Sequence, residues 1–137
     1  MTPLSSTSAE NANLEVAIDA CVRAFYAKGG EDPLLGPIFS KIPHLDEHLD
    51  IVIAFWSREL LRTARYEGTP FAVHINLPVE PEHFERWMAL FSQSARETLP
   101  PAMAEQAVAK AAHMTRSFMA GIFPFTGADG RPSRTPA

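Results

Sequence analysis

PFAVHINLP, residues 70–78, admits two readings. Phe71, Val73 and Ile75 alternate as in a strand, yet the span between Pro70 and Pro78 holds about two helical turns. A strand needs a partner, and no other segment offers a convincing one, because apolar spacing is helical almost everywhere else. The chain therefore reads as all-α, with His74 set in its short, proline-bounded apolar segment. Burying that imidazole requires a partner for at least one ring nitrogen. A backbone carbonyl or a metal ion would serve, and the local sequence leaves both open.

Working outward, Leu14, Ile18, Cys21, Val22 and Phe25 follow the helical period, and Gly29-Gly30 is expected to end that helix. Tyr26 lies on the flank of the stripe. Asp32-Pro33 reads as an N-cap followed by a short turn, PLLGPIF, which Gly36-Pro37 interrupts. A helix is expected from about His44 to Ala64, with His48, Val52, Phe55 and Trp56 on one face. Glu80-Pro81 starts the next, carrying Phe84, Trp87, Met88 and Phe91. Pro100-Pro101 starts the last, with Ala107, Ala111, Met114, Phe118 and Ile122 along one side.

A length of 137 residues suits one domain. Its expected bounds are 14–123, with disordered tails at 1–13 and at 124–137, the latter reading PFTGADGRPSRTPA. Twelve Lys and Arg against sixteen Asp and Glu give a net charge of −4, and the cations are scattered. Such a chain is a poor binder of polyphosphate backbones, so nucleic acid is not an expected partner. No apolar run approaches the roughly 20 residues that span a bilayer. The opening residues lack the basic start and apolar stretch of a secretory signal, which points to the cytoplasm. Cys21, the single cysteine, sits among apolar neighbours and reads as a small buried thiol.

Chemistry without a cofactor would need a nucleophile and base, or paired carboxylates, gathered in a pocket. The sequence holds no G-x-S-x-G, Gly-rich phosphate loop, Cys-x-x-Cys or H-E-x-x-H. His44 and His48 are spaced as a two-histidine metal face, a spacing equally common at a helix start on the surface. His83 and His113 have polar or mixed neighbours and receive no role.

Taken together, four segments resemble group III of the truncated haemoglobins. They are FYAKGGEDPLLGPIF (25–39), HLDIVIAFWSRELL (48–61), YEGTPFAVHINLP (66–78) and HFERWMALF (83–91). They occur in family order at close to family spacing, and the likeness covers roughly 14–123. The resemblance implies a truncated-globin helical sandwich around haem b, with His74 as the proximal iron ligand. It implies that Tyr26 donates a hydrogen bond to the iron-bound ligand and that Trp87 points its indole N–H into the same pocket. His48 matches the histidine at the distal helix position, acting as a gate. Phe39 would pack on the porphyrin, while Val52, Phe55 and Trp56 would cover the distal side. For the haem propionates, Tyr66 in the family-like Y-x-G is the first candidate, with Arg62 and Arg65 next. In two places the chain departs from the pattern. Leu45 stands where the family often has a tryptophan, which thins the aromatic wall near the pocket entrance. The loop after His74 is one residue shorter than in some relatives.

The implied function is reversible binding of oxygen and other diatomic ligands. One axial histidine leaves the opposite site open. Oxygen bound to ferrous iron is partly anionic, so each hydrogen bond to it contributes on the order of 1.5 to 3 kcal/mol. Tightly held oxygen suits reaction with nitric oxide to give nitrate, and a separate reductase is then an expected partner. A peroxidase-like alternative would use His48 as the acid-base group, but needs a carboxylate behind His74, and no sequence neighbour is acidic. From another class comes a non-haem helical metal-binding or interaction module built on His44 and His48.

Overall fold

The computed structural model describes residues 8–66 and 78–136. Residues 67–77 lie outside the described part, and the readings of His74 and of its segment lie there with them. Among the described residues, the helices are α1 (Ser8–Glu31), α2 (Gly36–Phe39), α3 (Leu45–Leu61), α4 (Pro81–Thr98) and α5 (Pro101–Ile122). Two short antiparallel strands follow, β1 (Phe125–Thr126) and β2 (Pro132–Ser133). The all-α expectation holds.

The apolar stripe of α1 is the centre of the packing. Ile18, Cys21, Val22 and Phe25 are all buried, and they meet Leu49, Ile53, Phe55 and Trp56 of α3 and Phe91 and Ala95 of α4. The α4 helix in turn lies along α5, where Ala104, Ala107 and Ala111 are buried. Side chains this small let two helix backbones approach closely. Ser94 and Thr115 are buried there too, and each hydroxyl donates to the carbonyl four residues back, to Leu90 at 2.9 Å and Ala111 at 2.8 Å.

Gly29-Gly30 does not end α1. The helix begins at Ser8, ahead of the expected boundary at 14, and runs through both glycines to Glu31. Gly29 is buried against the ring of Phe39, and a Cβ there would run into that ring. Its role is close approach rather than termination. The chain turns instead at Asp32, whose carboxylate accepts from the N–H groups of Leu34 at 2.9 Å and Leu35 at 3.0 Å. Gly36-Pro37 opens α2 rather than interrupting a turn, since Pro in the first turn forfeits no helical hydrogen bond. The α3 helix stops at Leu61, short of the expected Ala64, because Arg62 takes a left-handed backbone with φ of 60°. Its start is similarly sharp, with His44 at φ of 50°.

The segment after 123 was expected to lack structure, but it folds back. Gly130, with φ of 81°, turns the β1–β2 hairpin. Arg134 donates to the Val79 carbonyl at 3.1 Å and its guanidinium lies 5.3 Å from the Phe123 ring centre. This closes a second apolar cluster of Val79, Phe84, Phe118, Ile122 and Phe123. Among the described residues, no helix is long and apolar enough to cross a membrane.

Arg86 of α4 donates to Asp32 at 2.6 Å, tying the α1–α2 corner to α4. The Leu35 N–H, joined by the Leu34 N–H and Arg86 and opposed by burial, holds the Asp32 carboxyl below its ordinary range. A carboxyl more acidic in the folded chain stabilises the fold above the ordinary carboxylate range and loses that contribution as pH falls through its depressed native value. Asp32→Ala should therefore lower the Tm at neutral pH, and the gap to wild type should close when melting is repeated toward about pH 3. A gap that stays constant with pH would rule out the carboxylate as its source.

Candidate functional site

Tyr26 comes from the flank of α1 and His48 from the first turn of α3. The Tyr26 hydroxyl and the His48 Nε2 lie 2.9 Å apart, and the two rings meet edge to face with centres 5.4 Å apart. Burial pushes the Tyr26 phenol far above its ordinary range, so it stays protonated throughout the accessible pH range. The hydroxyl donates to an unprotonated Nε2 or accepts from an Nε2–H, according to the imidazole tautomer. Only the second arrangement leaves the phenol proton free for a third partner.

Around this pair the rings form a continuous wall. Phe39, seated on Gly29, lies 5.0 Å from Tyr26, and Phe25 touches Tyr26, Phe39, Trp87 and Phe91 edge to face at 5.2 to 5.9 Å. Trp87 and Trp56 sandwich Phe91, at 5.3 and 4.9 Å with interplanar angles of 5° and 19°. Phe55 then joins Trp56 to Tyr66 by two edge contacts, at 5.3 and 5.2 Å. Val52 packs against the same cluster, half-buried. Edge-to-face and offset contacts of this kind fix ring orientation better than aliphatic packing does.

The site residues expected from the sequence divide into three groups. Tyr26, His48, Phe39, Val52, Phe55, Trp56, Trp87 and Tyr66 are gathered into one contiguous region. Trp87 is half-buried, and among the described residues its indole N–H makes no hydrogen bond; it reaches Tyr26 through Phe25 rather than directly. Arg62 and Arg65 stand apart. Arg65 donates to Glu15 at 2.8 Å, and Arg62 lines a groove with Gln106, Lys110 and His113 of α5. His74 lies outside the described residues. His44 is exposed at the head of α3 while His48 is engaged by Tyr26. Among the described residues, no group of three or more His, Cys, Asp or Glu is placed to hold a metal ion. Leu45, where the family often has tryptophan, is exposed.

Three residues escaped the sequence reading. Phe25 and Phe91 join the two halves of the wall, and the signals were available, since Phe25 adjoins Tyr26 and Phe91 follows Trp87 by one helical turn. Arg58 of α3 received no role there. Its guanidinium lies 4.7 Å from the Tyr66 ring centre and 5.4 Å from that of Phe55.

A further polar cluster sets where the chain leaves α3. Ser57 is fully buried, and its hydroxyl donates to Glu15 at 2.7 Å while lying 2.7 Å from the Thr63 hydroxyl. With Arg65 on the other Glu15 oxygen, this pins 62–66, and hence Tyr66, against α1.

The chain is 36% identical over 84 residues to a group 3 truncated haemoglobin from Campylobacter jejuni, a match covering 57% of this chain and 66% of that protein, just under two thirds of its length. The crystal structure of group III truncated haemoglobin from Campylobacter jejuni superposes with a TM-score of 0.70 at 29% identity, over 76% of this chain and 87% of that one. In sequence and in fold the chain is similar to the group III truncated haemoglobins. It has the truncated-globin fold and is a globin-type protein. No family model matches it.

Removing the Ser57 hydroxyl leaves Glu15 and Thr63 short of a partner inside the fold. Ser57→Ala should cost about 1 to 3 kcal/mol in urea unfolding, more than the loss of one exposed hydroxyl. A variant as stable as wild type would show that this cluster does not hold the end of α3.

Proposed function

We propose that this protein binds haem b through His74 and holds oxygen or another diatomic ligand beneath Tyr26. The observation that carries the reading is the Tyr26–His48 pair, a neutral phenol and an imidazole at 2.9 Å, set into a wall of aromatic rings inside a truncated-globin fold.

The residues present suit the group. A flat apolar macrocycle needs flat apolar neighbours, and Phe39, Val52, Phe55 and Trp56 supply them. A small polar ligand needs donors in otherwise dry surroundings. Tyr26 offers one that cannot ionise, and the Trp87 indole N–H is a second, without a hydrogen-bond partner among the described residues. His74, in the segment between Tyr66 and Val79, is the proposed iron ligand. Bound haem supplies an iron that takes up a diatomic molecule and exchanges one electron with it.

The protein's part is to bind, orient and shield. When His48 Nε2 carries a proton and donates it to the Tyr26 oxygen, the phenol proton turns toward the ligand. When Nε2 is bare, Tyr26 donates to His48 and the ligand loses that bond. His48 thereby sets how strongly Tyr26 grips the ligand. Oxygen held in this way suits conversion with nitric oxide to nitrate, O2 + NO + one electron giving NO3−. A partner reductase is proposed to return the electron.

Purified protein should show a Soret band that His74→Ala abolishes. Tyr26→Phe should raise the oxygen dissociation rate roughly 10- to 150-fold, the equivalent of about 1.5 to 3 kcal/mol for a hydrogen bond to a partly charged acceptor. Stopped-flow mixing of the oxygenated protein with nitric oxide should yield nitrate stoichiometrically. A colourless protein, or an oxygen off-rate indifferent to Tyr26→Phe, would refute the proposal.

A further inference from the structure

We propose that Arg58, rather than Arg62 or Arg65, is the cation that receives a carboxylate of the bound haem. This rests on the haem reading above and adds to it the residue that anchors the polar edge of the macrocycle.

A haem carries two carboxylates on one edge, and an apolar site that takes up the ring needs a cation where that edge emerges. The sequence points to the arginines after α3, but the tertiary structure engages or diverts both. Arg65 is bound to Glu15 across the α1–α3 contact. Arg62 follows a reversed backbone into the groove shared with α5. Arg58 lies one helical turn beyond Phe55, and its guanidinium rests against Phe55 and Tyr66, the two rings that end the aromatic wall. It is half-buried, so its charge is less screened than that of a surface arginine.

The hydrogen bonding of Arg58 leaves room for a carboxylate. Its Nε bonds to Glu59 Oε2 at 3.0 Å. The other Glu59 oxygen lies 3.1 Å from Lys110 Nζ. One negative charge thus serves two cations, and the cluster of Arg58, Glu59 and Lys110 keeps a positive excess. Among the described residues, the two terminal nitrogens of Arg58 have no hydrogen-bond partner. Stacking on Tyr66 and the Nε bond to Glu59 hold the planar group in place, so little freedom is lost when the remaining N–H groups engage a carboxylate.

The test loads the full-length protein with haem, and separately with haem dimethyl ester, whose carboxylates are masked. The rate of pigment transfer to an excess of an apo-globin acceptor is then measured. Arg58→Met keeps the length of the stem and removes the charge, and should release haem about 10-fold faster than wild type, or more. With the dimethyl ester, the two proteins should release alike. Arg58→Lys should recover part of the loss, while Arg62→Met should stay close to wild type. Circular dichroism of the apo forms checks that each variant folds. Faster release of both pigments by Arg58→Met, or wild-type release of haem, would overturn the assignment while leaving haem binding intact. A wild-type protein that takes up neither pigment would overturn the haem reading and this inference with it.

Discussion

The Tyr26 hydroxyl and the His48 imidazole meet at 2.9 Å between two helices, α1 and α3, that face each other largely through apolar side chains. A half-buried phenol without a partner loses the hydrogen bonds that water gave it, and His48 supplies one to Tyr26. The bond forms only where the distance between α1 and α3 suits both rings. A paired donor and acceptor in low-dielectric surroundings is also a poised one, since the hydroxyl proton can point to either neighbour at little cost. The remaining architecture holds that geometry.

Much of that support is aromatic. Phe39 reaches Tyr26 only because Gly29 has no side chain, so a residue that looked like a helix stop is in fact the seat of a ring. Phe25 and Phe91 carry the contact on to Trp87 and Trp56, and Phe55 carries it to Tyr66. The rings come from α1, α2, α3, α4 and the segment after α3, so the wall exists only when all of them are docked. Alanines along α4 and α5 let that docking be close.

Polar anchors fix the ends of the elements. Asp32 caps the start of the α1–α2 corner and holds Arg86 of α4, and Ser57 with Glu15 fastens the exit from α3. The hairpin after α5 closes over Val79, the residue from which the chain enters α4. Both described ends of the 67–77 segment, which bears His74, are thus tied to the helical body by side-chain hydrogen bonds rather than by apolar packing alone.

Periodicity in the sequence was enough to give the helices, their buried faces and the all-α class, because a 3.6-residue repeat of apolar side chains is a local property. The resemblance to one family supplied most of the wall, since Tyr26, Phe39, His48, Phe55, Trp56 and Trp87 stand in the segments that carry it. Local sequence could not say what Gly29 was for, because a glycine that ends a helix and one that seats a ring look alike until the ring arrives. Nor could it choose among arginines: Arg58, Arg62 and Arg65 are close in sequence, and only the folded backbone sends one to the rings, one to α5 and one to Glu15. The tail was misjudged for the same reason, as its order depends on an arginine reaching a carbonyl at Val79, which lies far away in the sequence. What the sequence by itself determined is what repeats within a few residues; the tertiary structure alone decided which distant groups meet, because those contacts exist only after the helices have packed.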